Sequence, residues 1–259
     1  MATEDLRPIE IADGVFFVEG PASNWVILAG DGSTTLIDTG YPADAALLDA
    51  SIARVAAGSP LRDILITHGH SDHIGSVRRL TADGGVTAWA AEEEIANITR
   101  QELHQIGVGQ ILPTLWRPRY AKWTVHAIRA GGLADPGVRD VCALVPDVAV
   151  RFSGHDVIPR LTPGHTPGHL VFDLPEHGLV VTGDALVTGH ATSTRNGRQL
   201  LEPKWHWDAA RANENGETLL GDARIVLPGH GAAETRGVSA WDTSTDRCLP
   251  ACQDRILDR

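Results

Sequence analysis

Four side chains that can bind metal lie within six residues, and this feature constrains the chain more than any other. The segment THGHSDHIGS, residues 67–76, contains His68, His70, Asp72 and His73, with glycine and serine as small spacers. Imidazole nitrogens and carboxylate oxygens suit a borderline cation such as Zn²⁺. Core packing does not explain so many polar groups directly after the apolar strand DILIT. The segment therefore predicts a metal site held by a loop.

A second histidine pair lies in TPGHTPGHL, residues 162–170, where His165 and His169 are four residues apart. On a helix this spacing would let both imidazole rings bind one metal ion. Pro163 and Pro167 argue against a helix, because proline inside a helix removes a hydrogen bond and clashes with the preceding turn. The segment is therefore expected to be a loop, with at most one of the two histidines pointing into a site.

The rest of the chain alternates short strands with helices. Runs of β-branched and aromatic residues bounded by glycine predict strands, among them GVFFVEG, NWVILAG, VTAWAA and GLVVTGD. The AGDGS segment predicts a hairpin, and Asp208 is a plausible N-cap. Apolar positions at helical spacing predict helices over 43–56, 74–82, 92–106 and 208–220. This order predicts two similar halves, packed sheet on sheet with helices outside, in a single domain over 1–259.

The pattern weakens between about 107 and 147, which predicts an insertion or lid. The aromatic side chains in and beyond this segment are interpreted in one of two ways. If they form the wall of a cleft, they would suit an apolar or aromatic substrate with a negative group. The alternative is a solvated loop that tryptophans anchor to the core. The candidate cleft residues are Trp116, Tyr120, Trp123, His190, Trp205, His206 and Trp207. The interleaved basic residues are Arg117, Arg119 and Lys122.

The charge and the termini limit the partners that we expect. A formal net charge of −11 disfavours nucleic acid, because its binding depends on lysine and arginine neutralising phosphates. The N-terminal stretch lacks the apolar run of a signal peptide, and no run of about 18 apolar residues predicts a membrane span. We therefore expect a cytoplasmic protein that acts on a small molecule, without a nucleic-acid or membrane partner. The oligomeric state stays open, a homodimer being one alternative.

The HGHSDH segment resembles the HxHxDH signature of the metallo-β-lactamase-fold superfamily, and four further segments resemble its motifs in the same order. LIDTG is similar to a strand-end motif, TPGHT and LPGHG to later histidine motifs, and TGD to the motif of a bridging aspartate. The resemblance implies an α/β fold, a four-layer αββα sandwich in which two mixed β-sheets pack face to face with helices outside. The metals would lie at one edge of the sheets, held by loops.

The resemblance also implies a set of seven side chains that bind two metal ions. The ligands of the first ion would be His68, His70 and His165. The ligands of the second would be Asp72, His73 and His230, with Asp184 bridging both ions.

Two further residues are expected to support the ligands. His165 occupies the ligand position of the family, so His169 is expected to hydrogen-bond a ligand or the loop. Asp38 would orient a ligating histidine through its other ring nitrogen. The alternative for Asp38 is a turn residue before Gly40.

The implied activity is hydrolysis by two zinc ions, with iron or manganese as alternatives. Two cations can share a bridging hydroxide, since each lowers the pKa of bound water, and Asp72 would be the catalytic residue that orients it. The expected substrate is a small carboxylic ester, lactone or thioester, although the fold does not choose among these. Zinc β-lactamases typically lack the carboxylate found here at Asp184, which argues against β-lactamase activity. Homoserine-lactone lactonases carry a tyrosine where this chain has Val187.

Two other functions stay open on the sequence. Persulfide dioxygenases of the same superfamily use one iron, held by residues that match His68, His165 and Asp184. A non-catalytic metal-binding module that has kept the fold is the second alternative. The second ligand group, in which no residue is missing, argues against both.

Overall fold

The structure, a computed structural model, describes residues 6–220 and 224–234. The predicted domain over 1–259 also includes 1–5, 221–223 and 235–259, which lie outside the described residues. The strands are β1 (Ile9–Ala12), β2 (Val15–Val18), β3 (Trp25–Gly30), β4 (Ser33–Ile37), β5 (Leu61–Leu65), β6 (Thr87–Ala91), β7 (Cys142–Leu144), β8 (Val150–Phe152), β9 (His155–Leu161), β10 (Leu170–Leu174), β11 (Leu179–Gly183) and β12 (Ile225–Pro228). The helices are α1 (Ala45–Val55), α2 (Val77–Leu80), α3 (Glu92–Ile98), α4 (Val108–Ile111), α5 (Pro118–Arg129) and α6 (Ala209–Leu220).

The strands form two mixed sheets. The first contains β1 to β7 in chain order, and the second has the spatial order β12-β11-β10-β9-β8. Neighbouring strands from β1 to β4 and from β8 to β11 are antiparallel, whereas β4 to β7 and the β11–β12 pair are parallel. In the predicted β3–β4 hairpin, Asp31 and Gly32 have φ values of 47° and 70°, as a tight type I′ turn requires.

Three apolar layers hold the sheets and helices together. Since side chains alternate along a strand, each sheet buries one face against the other sheet and one face under helices. The layer between the sheets includes Phe17, Val26, Leu28, Phe172 and Leu227. The layer outside the first sheet includes Ile27, Leu36, Leu48 of α1, Val77 of α2 and Ile98 of α3. The layer outside the second sheet includes Val171, Val180, Val226 and Leu219 of α6. The predicted αββα sandwich is confirmed.

The helix predicted over 92–106 is wrong in its second half, because α3 ends at Ile98. Arg100 takes a left-handed φ of 65° and turns the chain away from the helix axis. Its guanidinium then donates to the carbonyl of Gly69 at 2.8 Å, inside the histidine loop. These tertiary contacts override the local helix propensity.

The segment over 107–147 is more regular than its sequence predicts. It contains the short helix α4, the amphipathic helix α5 and the strand β7, which pairs in parallel with β6. The end of the segment therefore belongs to the first sheet, and only the part up to about residue 134 projects over the site. The strand β1, which was not predicted, pairs with β2 through Ile9 and Glu10 at the edge of the same sheet.

Candidate dinuclear metal centre

The seven candidate ligands meet at one edge of the sandwich because of the strand directions. The HGHSDH loop follows β5, and Asp38 follows the parallel neighbour β4. In the second sheet Asp184 and His230 follow the parallel strands β11 and β12. His165 precedes β10, which runs antiparallel to β11, so the start of β10 lies beside the end of β11. Loops from both sheets thus converge at the same edge.

The first cluster consists of His68, His70, His165 and Asp184, whose candidate ligand atoms lie within 4.8 Å of one another. His68, His165 and Asp184 are buried, and His70 is partly buried. The Nε2 atom of His165 is 3.0 Å from Nδ1 of His70 and 3.4 Å from Oδ2 of Asp184. The three histidines come from two different loops, so this cluster depends on the packing of one sheet against the other.

Hydrogen bonds to the outer ring nitrogens indicate which nitrogen each histidine offers to a metal. Nε2 of His70 is 2.7 Å from the carbonyl oxygen of His104, to which it can donate, leaving Nδ1 directed inward. Nδ1 of His165 is 3.2 Å from Nδ1 of His206, leaving Nε2 directed inward. Nδ1 of His68 is 3.0 Å from the hydroxyl of Thr67. Such outer partners fix ring orientation and tautomer in metal sites.

The second cluster consists of Asp72, His73 and His230, whose candidate ligand atoms also lie within 4.8 Å of one another. Oδ2 of Asp72 is 3.8 Å from Nε2 of His73 and 3.5 Å from Nε2 of His230. The outer nitrogen of His230, Nδ1, is 2.7 Å from the carbonyl oxygen of Ala22, to which it can donate. Both rings therefore turn Nε2 towards the centre.

Asp184 lies between the two clusters and faces both of them. Its Oδ2 is 3.4 Å from Nε2 of His165 in the first cluster and 3.3 Å from Nε2 of His230 in the second. Its Oδ1 is 3.5 Å from Nε2 of His73. This position fits a carboxylate that bridges two ions.

Three buried atoms at this centre have no hydrogen-bond partner: Nε2 of His68, Nε2 of His73 and Oδ1 of Asp184. A buried polar atom without a partner costs about 1–3 kcal/mol. In addition, the lone pairs of His165 and His70 face each other at 3.0 Å, which is unfavourable unless a proton or a cation lies nearby. Divalent cations bound by these nitrogens and carboxylates would satisfy all of these atoms, so the residues fit a pair of metal ions.

Burial and neighbouring charges give the histidines of the centre different pKa values. Burial first, then the neighbouring histidines, lower the pKa of His68 and of His165, which keeps their lone pairs free. Burial alone would lower the pKa of His73, but Asp72, Asp184 and Asp38 outweigh it and raise that pKa to about 10. Metal binding at the second cluster therefore displaces protons.

Asp38 supports both the histidine loop and His73. Its Oδ1 accepts the backbone N–H of Thr67 at 2.9 Å, and its Oδ2 accepts the hydroxyl of Thr67 at 2.7 Å and Nδ1–H of His73 at 2.8 Å. Asp38 is 2% exposed and has a left-handed φ of 63°, a conformation that aspartate and asparagine tolerate. The turn geometry and the orienting contact expected from the sequence are thus both present.

Asp38→Asn is expected to weaken metal binding about 10- to 100-fold, the usual cost of losing an outer partner of a ligand. The amide keeps the left-handed turn but replaces one of the two carboxylate oxygens with a donor. Competition with a chelator measures the affinity. Asp31→Asn is the control, because Asp31 also has a positive φ, of 47°, but lies in the exposed β3–β4 turn. Equal affinity of the two variants would show that Asp38 does not orient a ligand.

His169 lies beside the centre with both ring nitrogens engaged by the protein. Its Nε2 accepts the backbone N–H of Asp184 at 3.1 Å, and its Nδ1 is 2.9 Å from the hydroxyl of Thr162. Burial lowers the pKa of His169 to about 3, so the ring stays neutral. The structure places His169 under the backbone of a candidate ligand rather than among the ligand atoms.

Glu94 is an organising residue that the sequence analysis missed. Its Oε1 accepts the N–H of Gly69 at 2.8 Å and the side-chain amide of Asn97 at 2.6 Å, and its Oε2 accepts the N–H of Gly168 at 2.8 Å. A single buried carboxylate thus ties the HGHSDH loop to the loop of His165. In the sequence, Glu94 is one of three glutamates at the start of a helix, where acidic residues are common. Its contacts with the two loops could therefore not be predicted from this pattern.

A cavity of about 200 Å³, here called the lid cavity, opens beside the metal centre. His70, Asp72, His165, Asp184 and His230 form its inner end. Of the seven candidate cleft residues, three line it: Trp123, His190 and Trp205.

The other four candidate cleft residues lie outside the lining of the lid cavity. Trp116 is 77% exposed and Trp207 50% exposed. Tyr120 is buried and donates to Glu202, while His206 contacts His165.

Tyr41 also lines the lid cavity, although the sequence analysis did not single it out. Burial first, then Asp72, Asp44 and Asp184, raise the pKa of Tyr41. Its phenol therefore stays protonated and can donate a hydrogen bond near the metal centre.

The family model of the Metallo-beta-lactamase superfamily matches residues 18–230 of this chain. The chain therefore belongs to the metallo-beta-lactamase superfamily, as its motifs indicated, and the matched region contains all seven candidate ligands. Members of this superfamily bind divalent metals, and the two clusters described above could hold them.

Two curated relatives and one solved structure illustrate the similarity. The probable metallo-hydrolase YflN of Bacillus subtilis is 28% identical over 181 residues, covering 70% of this chain and 62% of the relative. The hydroxyacylglutathione hydrolase of Fuscovulum blasticum is 32% identical over 159 residues, covering 61% of this chain and 45% of the relative. Both alignments thus span less than two thirds of the relative. The crystal structure of a metallo-beta-lactamase family protein from Thermus thermophilus covers 87% of this chain and 76% of its own, with 20% identity and a TM-score of 0.61.

Within 6–220 and 224–234, no helix combines the length and the apolar character that a membrane span requires.

Proposed function

We propose that this protein is a dinuclear zinc-dependent hydrolase of a small carboxylic ester, lactone or thioester. The observation that carries the proposal is the convergence of seven side chains on one centre with three buried, unpartnered ligand atoms. Two relatives support the reaction class: YflN is named a probable metallo-hydrolase, and the Fuscovulum blasticum protein hydrolyses a thioester according to its name.

Hydrolysis adds one water across the acyl bond. The carbonyl carbon gains the hydroxyl group, the C–O or C–S bond breaks, and the leaving oxygen or sulfur takes the proton. When bound, two zinc ions would lower the pKa of a shared water and polarise the carbonyl.

The protein side chains would position the reactants and move the proton. Oδ2 of Asp72 faces His73 and His230, and its side chain is 17% exposed, so its other oxygen is available to hold a water proton. The protonated phenol of Tyr41 lines the lid cavity and is available to donate to a substrate oxygen. Asp38, His206 and the carbonyl of His104 keep the ligand rings oriented.

Metal analysis tests the proposal first. Purified protein reconstituted with zinc is expected to hold about two ions per chain, because two separate clusters offer ligands. Removal of the metal by a chelator is expected to abolish hydrolysis of acetyl esters, lactones and thioesters, and zinc is expected to restore it. Fewer than one ion per chain after reconstitution would contradict the proposal.

The same preparations separate the hydrolase from the iron-dependent alternative. Oxygen consumption by iron-loaded protein with glutathione persulfide, without hydrolysis by zinc-loaded protein, would favour a dioxygenase. The second cluster of Asp72, His73 and His230 supports the hydrolase, because a mononuclear iron site does not need it.

A further inference from the structure

We infer that the substrate carries an uncharged aliphatic chain, which the lid cavity holds while the carbonyl lies at the metal centre. This inference rests on the proposed hydrolase function and specifies its substrate class. The uncharged chain differs from the negatively charged substrate that we expected from the basic residues of the segment over 107–147.

The first support is the composition of the cavity wall beyond the metal ligands. Branched aliphatic side chains are the most numerous type in it, among them Ile106, Ile111, Leu112, Leu115, Ile128 and Leu133. Trp123 and Trp205 also line it. Such walls bind ligands mainly by removing apolar surface from water.

The second support is the position of the charges. No described arginine or lysine side chain lines the lid cavity, and its only carboxylates are Asp72 and Asp184 at the metal end. A substrate carboxylate deep in this wall would lose its hydration without gaining a cationic partner, at a high cost. The glutathione moiety of a thioester, which is charged, therefore fits the wall poorly.

The helix α5 explains why the basic residues do not face the substrate. Trp123 and Ala127 are four residues apart and line the cavity, as do Thr124 and Ile128. Lys122 and Arg129 are exposed, and the helical period places them on the other face of the helix. Arg117 instead lies over the ring of Trp116, at 5.2 Å from its centroid. Arg119 donates to the carbonyl of Ser193.

The third support is the open, apolar mouth of the cavity. Leu112 is 57% exposed and Leu133 is 65% exposed, and both belong to the lining. A chain that extends from the metal centre past these residues would cover apolar surface that water otherwise contacts. The volume of about 200 Å³ is large enough to hold an alkyl chain of several methylenes.

Homologous p-nitrophenyl esters from acetyl to decanoyl test the inference on zinc-loaded protein. We expect kcat/KM to rise about fourfold per methylene until the cavity is filled, mainly through KM, since each buried methylene contributes about 0.8 kcal/mol. The adipoyl half-ester, which matches the hexanoyl ester but ends in a carboxylate, is expected to react at least roughly a hundredfold more slowly. A flat profile, or a preference for the half-ester, would overturn the inference.

A pair of double variants locates the effect. Leu112→Gln/Leu133→Gln is expected to lower kcat/KM for the octanoyl ester roughly tenfold more than kcat/KM for the acetyl ester. The matched control is Leu103→Gln/Val145→Gln, whose two residues are each 64% exposed but lie outside the lining. Equal octanoyl activity of both double variants would place the chain elsewhere and overturn the inference.

Binding without turnover separates this inference from the proposed function. Alkyl methyl ketones of increasing length, titrated into metal-free protein, are expected to change the fluorescence of Trp123 and Trp205 with affinities that rise with chain length. Length-dependent binding without hydrolysis of any ester would leave the inference standing and refute the hydrolase. Hydrolysis of the acetyl ester without length dependence in binding or turnover would support the hydrolase and refute the inference about the aliphatic chain. Absence of both would refute both.

Discussion

His165→Ala is expected to lower kcat/KM by more than a hundredfold and to release one of the two metal ions. Its Nε2 faces His70 and Asp184, so the change removes a first-cluster ligand. Loss of an outer partner alone costs about 10- to 100-fold, and loss of a ligand exceeds that. Metal content and steady-state kinetics on the same preparation measure the effect, with a thermal melt to verify folding.

The matched control is His169→Ala, from the same loop. His169 accepts the N–H of Asp184 and has no atom among the candidate ligands, so both ions are expected to remain and the loss of activity to stay within 10- to 100-fold. Equal metal loss in both variants would contradict the assignment of His165 as the ligand, and a larger loss in His169→Ala would reverse it.

Glu94→Ala is expected to lower the free energy of unfolding by about 3 kcal/mol or more, because it leaves three donors unpartnered at about 1–3 kcal/mol each. For a chain of this size such a loss lowers Tm by roughly 6–12 °C. Calorimetry on metal-free protein isolates this effect from metal binding. Gly69 and Gly168 are the donors on the two ligand loops, so weaker metal binding should accompany the loss of stability.

Two other substitutions in the same helix sharpen this result. Glu93→Ala changes an exposed neighbour and is expected to shift stability by less than about 0.5 kcal/mol. Glu94→Gln keeps one acceptor oxygen but turns an amide towards a donor, so an intermediate loss is expected. The expected fall in Tm for Glu94→Ala is roughly 6–12 °C. A Tm within about 2 °C of that of the unchanged protein would show that the carboxylate does not hold the two loops together.

The layers and most strands could be predicted from the sequence because they follow from local patterns, whereas the edge at which the candidate ligands meet was implied by the resemblance to the superfamily. Glycine-bounded apolar runs mark strands, and two prolines exclude a helix around His165. The structure also places Asp208 as predicted, since its Oδ1 accepts the N–H of Ala210 and of Arg211 at the start of α6, both at 3.1 Å.

The features that the sequence did not predict depend on contacts between distant segments. The turn at Arg100 ends α3 early because its side chain reaches Gly69. Glu94 acts on two loops that are about 100 residues apart in the chain, and no local pattern marks that role. The basic residues of α5 alternate with aromatic residues in sequence, yet only the helical period decides that the face with Trp123 and Ile128 lines the cavity.

Anomalous diffraction at the zinc edge, from crystals of the zinc-loaded protein, tests the central claim most directly. The account predicts two peaks: one within about 2.0–2.1 Å of nitrogens of His68, His70 and His165, and one at the same distance from His73 and His230. Asp184 is expected to contact both ions and Asp72 the second. A single peak, or a peak on His169 instead of His165, would contradict the dinuclear centre described here.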